Sequence, residues 1–393
     1  MDNALGAAVI GIGVAGGSLG LVIALVACFL GFFALIAFWF FESARPIRLS
    51  RFNENPVLKP VPEHWWESEA VFNPAAIVAG GRVHVLYRAL GRDGISRIGY
   101  ASSADGIHFD QRSAEPVYSA ENYQEARSHH PFTSPARLTY DTVSYGSGGG
   151  WGGCEDPRAV VIEGRVYMTF NMFNGWDTMR VAFTSTDEYN LLHARGLWSH
   201  FDYLSRPNER QKNWVLFPEK IGGKFALFHN LDMGDPARVH IKFMDTLSMT
   251  EAPTAKEAPD PQRLPDHTVA WHYRTRSAAS PPIKTSEGWL LLYHAMDKND
   301  PNRYKLGAML LDRDDPTKVL YRAVQPILAP DAWYENDWKP GIIYVSGAVV
   351  LGKDLIVYYG GGDKYVAAAK TDLRDFLRKL KNHEQAKLKP VKM

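Results

Sequence analysis

The sequence predicts an all-β fold, a five-bladed β-propeller preceded by one N-terminal transmembrane helix. Three observations lead to this prediction: an uncharged apolar stretch near the N-terminus, little helical periodicity in most of the remaining chain, and five copies of one strand-turn-strand pattern. From them we divide the 393 residues into an anchor with a basic juxtamembrane segment (1–51), a propeller domain (52–380) and a basic tail (381–393).

The N-terminal segment carries no charged residue between Asp2 and Glu42, and residues 19–41 are almost wholly apolar. A helix of about 20 apolar residues is long enough to cross a bilayer. Three arginines follow this stretch, namely Arg45, Arg48 and Arg51. Because basic residues stay on the cytoplasmic side, the sequence predicts a single-pass membrane protein whose large C-terminal domain is cytoplasmic.

Composition excludes several classes of protein. The formal net charge is +1, so the balance of charge does not indicate nucleic acid as a partner. Cys28 and Cys154 lie in unrelated contexts, which excludes a disulfide framework and a zinc site built from cysteines. No cluster of ligating residues at metal-site spacing is present, so we expect no metal and no organic cofactor.

Beyond residue 52, short apolar and aromatic strands alternate with turns rich in Gly, Pro, Asp and Asn, and helical periodicity returns only at residues 373–380. Each copy of the repeat has a strand that begins with proline or glycine, a turn, and a second strand rich in aromatic residues. The turns lie at residues 81, 164, 223, 288 and 353. Five such copies predict five blades around a central funnel, and a β-sandwich with accidental internal similarity is the alternative. The long first interval contains an insertion at residues 119–151.

The motif Glu155-Asp156-Pro157-Arg158 opens the first strand of the second repeat. Neighbouring residues on a strand point to opposite faces, so the two carboxylates share one pocket only if the backbone bends. Taken alone, the motif is typical of a turn. In a propeller, however, the first residues of each first strand line the funnel, which gives the carboxylates a site to face. Aromatic residues nearby in the repeats, Trp271, Tyr293, Trp333 and Tyr344, fit a carbohydrate pocket.

These motifs together resemble glycoside hydrolase family 130, the β-mannoside phosphorylases and related mannosidases. The runs that carry the resemblance are VFNPAA at 71–76, YR at 87–88, YASSADGIHF at 100–109, EDPR at 155–158, FPEKI at 217–221, GWLLLYH at 288–294 and YYGGGD at 358–363. The resemblance covers about residues 52–380. It implies a five-bladed β-propeller, in agreement with the repeat count.

The resemblance further implies an inverting attack of inorganic phosphate, as co-substrate, on a β-mannoside, giving α-mannose 1-phosphate. Asp156 would be the proton donor, acting through a sugar hydroxyl, with Glu155 and Arg158 as its supports. The mannose would be held by Asn73, Arg88 and Asp363. The phosphate would be held by four basic residues of later blades, Arg180, Arg195, Lys212 and His229.

Two departures from the family pattern leave alternatives open. His229-Asn230 stands where the phosphorylases commonly have His-Arg, and residues 276–282 replace a glycine-rich approach to the Pro-Pro strand. A phosphate-independent β-mannosidase or mannosyltransferase on the same fold, and a membrane-tethered carbohydrate-binding propeller without catalysis, therefore remain alternatives to the phosphorylase. A hydrolase would need a carboxylate base, for which Glu219 and Asp232 are the candidates.

Overall fold

The computed structural model describes residues 21–34, 47–119, 149–150, 152–173, 179–229, 239–250, 274–297, 300–323 and 325–382. The chain divides into two compact units, Met1–Pro46 and Ile47–Met393. The predicted insertion lies almost wholly outside the described residues, as do Asn230 and Asp232.

The first unit contains one described helix, α1 (residues 21–34). Among the described residues, no helix combines the length and the apolar character that a membrane crossing requires. The predicted transmembrane helix, and with it the single-pass membrane topology with a cytoplasmic catalytic domain, is therefore wrong.

The second unit is mostly β. Its described strands are β1 (Ser50–Arg51), β2 (Ala70–Ala79), β3 (Arg82–Leu90), β4 (Ile95–Ser103), β5 (Phe109–Arg112), β6 (Gly152–Ile162), β7 (Arg165–Phe173), β8 (Arg180–Asp187), β9 (Asp202–Tyr203), β10 (Val215–Leu216), β11 (Phe225–Phe228), β12 (Ile241–Met244), β13 (Arg274–Ala278), β14 (Ile283–Thr285), β15 (Gly288–Asp297), β16 (Asp300–Leu311), β17 (Val319–Arg322), β18 (Ile343–Leu351), β19 (Asp354–Gly361) and β20 (Tyr365–Asp372). Its helical elements are α2 (Glu188–Leu192), a 3₁₀ turn (Trp333–Glu335) and α3 (Leu373–Asn382). The helix α3 confirms the helical periodicity read from residues 373–380.

The five predicted repeats correspond to five antiparallel groups of strands: β2–β5, β6–β9, β10–β12, β13–β17, and β18–β20 with β1. Hydrogen bonding nevertheless defines four sheets in the described residues, because a short parallel pairing of β4 with β6 joins the first two groups. The prediction of five separate blades behind a membrane helix is thus corrected to a mostly β unit of four sheets.

In the described residues, five apolar clusters join neighbouring groups. One cluster joins the first and second groups, and others join the second to the third, the third to the fourth, and the fourth to the fifth. The remaining cluster packs Val349 and Tyr358 of the fifth group against Val83 and Val85 of the first. Burial of these side chains is the main favourable contribution to the stability of the unit, at about 25 cal/mol per Å².

An aromatic residue on the middle strand faces a small residue on the following strand in several groups. Tyr87 pairs with Gly99, and Tyr293 pairs with Gly307. A Cβ added to either glycine would lie 2.4 Å from the tyrosine ring. Equivalent pairs in two other groups join Phe170 to Ala182 and Tyr359 to Ala367. The absence of a large side chain on the third strand leaves room for the ring to lie across it.

The two ends of the second unit meet in the last group. Strand β1 pairs antiparallel with β20, and Arg51 forms two hydrogen bonds of 2.7 and 2.9 Å with the fully buried carboxylate of Glu335. The Tyr359 hydroxyl donates to the same carboxylate at 2.8 Å. A bidentate, partly buried pair of this kind is stronger than an exposed one, so β1 is held firmly at the sheet edge.

Gly347 provides a test of the packing between the fifth and first groups. A Cβ at this position would lie 2.5 Å from the Ala76 nitrogen and 2.6 Å from the Pro74 oxygen, both of them backbone atoms that cannot rotate away. We expect Gly347→Ala to lower the free energy of unfolding by about 3 kcal/mol, measured by urea titration. Gly164→Ala is the control, because it meets open space and strains only a left-handed residue, at a cost of about 1 kcal/mol. Equal losses in the two variants would contradict the packing described here.

Candidate active site

The candidate site is built on backbone bulges in the first strands of the groups. Four of these strands, β2, β6, β13 and β18, shift register near the end that carries the polar motifs. In β2 and β6 the bulge places Asn73 and Asp156 in the left-handed region, with φ of 48° and 50°, and proline follows each. Asn and Asp accept this conformation more readily than other non-glycine residues. Adjacent residues of a regular strand point to opposite faces, and this bend lets the side chains of Glu155 and Asp156 contact the same partner.

That shared partner is Arg88, which is 1% exposed. Its Nη2 donates to Glu155 Oε1 at 2.8 Å, and its Nη1 donates to Asp156 Oδ1 at 3.3 Å. Its Nε donates to Ser96 Oγ at 2.9 Å, and the guanidinium lies 4.7 Å from the centre of the Phe72 ring. One buried cation therefore balances two buried carboxylates, and Glu155, which is fully buried, is held in this ion pair.

Asp156 is held by side chains from three different strands. Asn73 Nδ2 donates to Oδ1 at 2.7 Å, beside the contact from Arg88. Oδ2 receives a longer contact of 3.4 Å from Asn171 Nδ2. The carboxylate is 8% exposed, so it is nearly buried and still reaches the surface of the site.

Arg158 lies beneath Asp156 and connects the second group to the fourth and fifth. Its Nε donates to the Ala279 carbonyl and its Nη1 to the backbone carbonyl of Asp156, both at 3.0 Å. Its Nη2 donates to the Tyr344 hydroxyl at 3.1 Å. The Tyr344 ring stacks on His294 with centroids 4.5 Å apart. Arg158 thus holds the bulge of β6 against two other groups through the backbone of Asp156.

The charges around Asp156 decide its ionisation. Burial by itself raises the pKa of the Asp156 carboxyl, but Arg88, the hydrogen bond from Asn73, and the more distant Arg158 and Lys212 outweigh burial and hold the pKa below its usual value. In the ligand-free protein, Asp156 is therefore a carboxylate at neutral pH.

Asp363 lies in the turn between β19 and β20 and is 5% exposed. Its Oδ2 lies 3.2 Å from Lys339 Nζ, and its backbone is left-handed with φ of 55°. The preceding strand passes directly over Asn73, because a Cβ on Gly360 would be 2.1 Å from Asn73 Oδ1. The structure therefore brings Asp363 to the side of the site formed by Asn73.

Two of the predicted phosphate ligands lie on the side of the site formed by the third group. Lys212 is close enough to lower the pKa of the Asp156 carboxyl. Trp214 follows Lys212 by two residues, and His229 packs on it with the ring centroids 4.2 Å apart. Both ring nitrogens of His229 are buried and have no hydrogen-bond partner within the described ranges. Burial, together with His240 and Lys242, lowers the pKa of His229 to about 3.

The other two predicted phosphate ligands are not brought together. Arg180 is the first residue of β8, where it donates to the Ser205 carbonyl at 2.7 Å and lies 3.5 Å over the Tyr203 ring. Arg195 follows α2, beyond the opposite end of β8, and is exposed beside Tyr189. At about 3.3 Å per residue, β8 separates the two arginines by about 20 Å.

Sequence reasoning missed two residues of this site. Asn213 contacts both Arg158 and Asn171, and Lys339 contacts Asp363. Neither is part of a repeated motif. Asn171 was recognisable as the end of a second strand, but no property of the sequence indicates its contact with Asp156.

The remaining candidates lie elsewhere. Glu219, proposed as a hydrolytic base, is 42% exposed and paired with Lys284 at 2.6 Å. Tyr293 is fully buried against Gly307, Trp333 is exposed on the 3₁₀ turn, and Trp271 lies outside the described residues. Of the predicted aromatic set, Tyr344 contacts the residues of the site through Arg158.

Comparisons with known proteins agree on one family. The model of glycoside hydrolase family 130, described as beta-1,4-mannooligosaccharide phosphorylase, matches residues 143–382. A 1,2-beta-oligomannan phosphorylase of Thermoanaerobacter sp. (strain X514) is 35% identical over 341 residues, which cover 84% of this chain and 99% of the relative. A beta-1,2-mannobiose phosphorylase of the same organism is 36% identical over 338 residues, covering 82% and 96%. The solved structure of a glycosyl hydrolase from Bacteroides ovatus, 24% identical, shares the fold with a TM-score of 0.64 over 84% of this chain and 95% of its own.

Removal of the Arg88 side chain tests the charge balance of the site. Arg88→Met leaves Glu155 and Asp156 buried without their shared cation, which we expect to cost about 3–5 kcal/mol of unfolding free energy at pH 7. The loss of unfolding free energy should be smaller at pH 4.5. Without the cation, the pKa values of the Glu155 and Asp156 carboxyls rise, so these groups accept protons at that pH and are no longer buried charges. Chemical unfolding at both pH values measures this. Arg165→Met, at an exposed pair with Asp187, is the control and should cost at most about 1 kcal/mol at either pH. A loss that is independent of pH would contradict the charge balance.

The low pKa of His229 predicts a pH dependence of stability. Below pH 6.5 the unfolded chain binds a proton at this residue that the folded protein does not accept until about pH 3, so stability falls as the pH falls through this window. We expect His229→Phe to remove about 2 kcal/mol of the loss between pH 6.5 and pH 5, measured by urea unfolding. His193→Phe, at an exposed residue, should leave the pH dependence unchanged. Identical curves for wild type and His229→Phe would refute the assignment.

Proposed function

Because this chain belongs to glycoside hydrolase family 130, we propose that it is an inverting phosphorylase that transfers mannose from a β-mannoside to inorganic phosphate, giving α-mannose 1-phosphate in a reversible reaction. It acts as a glycosyltransferase with phosphate as co-substrate. Both Thermoanaerobacter relatives are named for β-1,2 linkages, which supports a β-1,2-linked mannoside as the donor.

One observation carries the proposal: among the described residues, cations act on the slightly exposed carboxylate of Asp156, which lies next to the fully buried carboxylate of Glu155. In the part of the chain that the structure describes, Oδ2 of Asp156 receives one weak contact, whereas Glu155 is held in its pair with Arg88. Arg88, Arg158 and Lys212 all act electrostatically on Asp156. An inverting hydrolase needs a second carboxylate to activate water, but phosphate brings its own nucleophilic oxygen and needs positive charge instead.

The reaction balances with one enzymatic acid. A phosphate oxygen attacks C1 of the mannose from the face opposite to the leaving group, and the bond between C1 and the glycosidic oxygen breaks with inversion. The proton of Asp156 passes through a hydroxyl of the mannose to the departing oxygen, which leaves as an alcohol. Hydrogenphosphate loses its own proton as the new ester forms, and a proton from solvent restores the acid. Such proton donation contributes about 10²–10⁴-fold in rate.

We assign the supporting roles from the contacts. Asn73 and Asp363 bind hydroxyls of the mannose, since both carry polar atoms at the same side of the site. Arg88 and Glu155 orient Asp156 and limit access to it, and Arg158 holds the bulge.

The phosphate lies on the side of Lys212 and His229, where His229 is neutral above about pH 3 and serves as a hydrogen-bond donor. Arg180 is at the same end of the second group as Asn171 and extends this basic side. Arg195 lies too far from Arg180 to share one phosphate with it, so we give it no role in binding.

The low pKa of Asp156 in the free protein is compatible with an acid. Bound phosphate places two negative charges among the cations that stabilise the carboxylate, and bound sugar excludes the remaining water. Both effects raise the pKa of the carboxyl. Asp156 therefore gains its proton when both substrates are bound.

The product mixture tests the function. We expect wild-type protein to release mannose 1-phosphate from β-1,2-mannobiose only when phosphate is present, with slower reaction on the β-1,4 isomer. Asp156→Asn should lower kcat by about 10²–10⁴-fold, because the amide cannot donate a strong acidic proton, while Asn still tolerates the left-handed backbone. Glu219→Gln is the control and should retain full activity, since Glu219 pairs with Lys284 away from the site. Release of free mannose without phosphate would identify a hydrolase, and full activity of Asp156→Asn would refute the catalytic assignment.

A further inference from the structure

The two oxygens of Asp156 lie in different surroundings. Oδ1 faces two N–H donors, Asn73 Nδ2 at 2.7 Å and Arg88 Nη1 at 3.3 Å. In the part of the chain that the structure describes, Oδ2 receives one hydrogen bond, from Asn171 Nδ2 at 3.4 Å. Both lone-pair directions of Oδ1 face N–H donors, so Oδ1 is restricted to accepting. Oδ2 faces one donor among the described residues and has its second direction available, so the proton belongs on Oδ2.

The orientation of the Asn171 amide is determined by a backbone group. The N–H of Asn213 donates to Asn171 Oδ1 at 2.8 Å, and a backbone N–H can only donate. The other end of the amide, Nδ2, must therefore face Asp156. Asn213 Oδ1 accepts from Asn171 Nδ2 at 3.1 Å and from Arg158 Nη1 at 3.4 Å, so its orientation is determined as well.

Asn213 is suited to this contact by its backbone. Its φ of 64° is in the left-handed region, which lets both its N–H and its side-chain oxygen point towards Asn171. Asn213 and Asn171 are nearly completely buried, so the pair of amides is shielded from competing water. The result is a chain of hydrogen bonds, here called the bracket. It runs from Asn213, before β10, through Asn171 at the end of β7, to the Asp156 carboxyl group in β6.

We propose that Asn171, held by Asn213, is a positioning residue that selects Oδ2 of Asp156 as the proton-carrying oxygen and directs it towards the substrate. The inference rests on the proposed role of Asp156 as the acid. The 3.4 Å hydrogen bond from Asn171 suits this purpose, because Oδ2 can accept it whether Asp156 is a carboxylate or carries its proton on Oδ2. When the reaction occurs, the Oδ2–H bond breaks, the proton moves to the sugar hydroxyl, and Oδ2 keeps the electron pair.

The charged and titratable groups that act on Asp156 set the background for any test by titration. Among the described residues they include Arg88, Arg158, Lys212 and Tyr344, and Glu155 shares the guanidinium of Arg88. None of them changes when Asn171 is replaced. A shift in the titration of Asp156 in an Asn171 variant therefore reports on the hydrogen bond to Oδ2.

The experiment combines carboxyl NMR with steady-state kinetics on the full chain. Aspartate labelled with ¹³C at the carboxyl carbon gives the titration of Asp156 directly, with Asp156→Asn to assign the signal. In Asn171→Leu we expect the titration midpoint of Asp156 to move to higher pH, because the carboxylate loses a hydrogen-bond donor that stabilises its ionised form. We also expect kcat to fall about 10- to 100-fold, because the acid is no longer positioned correctly. KM should stay within about threefold of its wild-type value, because the residues that bind the substrate are unchanged. The basic limb of the kcat profile, which reports the acid in the substrate complex, should also move to higher pH.

Two further variants complete the test. Asn171→Asp preserves size but replaces the donor with a carboxylate, so it should raise the titration of Asp156 further than Asn171→Leu does. Thr169→Val removes a buried hydrogen bond from the same strand to the Trp214 carbonyl without touching Asp156, and should leave the titration and the pH profile unchanged. If neither Asn171 variant shifts the titration, or if Thr169→Val shifts it equally, the positioning role is wrong. A wild-type protein that releases no mannose 1-phosphate would refute the proposed function instead, and the titration would still decide the role of Asn171.

Discussion

The ion pair between Arg88 and two adjacent carboxylates is the constraint on which the site depends. Neighbouring residues of a regular strand cannot both reach one guanidinium, so the contact requires the bulge of β6 and the left-handed backbone of Asp156. Both features are costly on their own. They persist because Arg88, Glu155 and Arg158 are almost fully buried, and any regular arrangement would leave charge unpaired in the interior.

The site also depends on how closely the groups of strands approach one another. Arg158 reaches the carbonyl of Ala279 and the hydroxyl of Tyr344 in two other groups, and Asn171 reaches the segment before β10. These bonds have ordinary lengths only because small residues, such as Gly347 and Gly360, let neighbouring strands pack with backbone almost in contact. Apolar packing between the groups therefore sets the positions of the polar atoms.

The chemistry follows from an asymmetry between two adjacent acids. Glu155 is fully buried and bound to Arg88. The Asp156 side chain is 8% exposed, its Oδ2 receives one weak contact among the described residues, and the cations around it match an anionic co-substrate. Under the proposed mechanism, these cations keep Asp156 a carboxylate until both substrates are bound, and the acid gains its proton at that point.

Much of this protein could be read from its sequence, because repeats, turns and strand patterns are local properties. The five groups of strands, the helix at the C-terminus and the family follow from motifs of a few residues each. The prediction of a transmembrane helix from the apolar N-terminal stretch was wrong, since an apolar composition alone does not establish a membrane-spanning helix, and no helix in the described part of the chain has the length and apolar character required. The contact of Asn171 with Asp156, the bracket from Asn213, the pairing of Lys339 with Asp363 and the separation of Arg180 from Arg195 were decided only by the tertiary structure. These relations join residues distant in the chain or across a strand, and the packing of the sheets determines which of them meet.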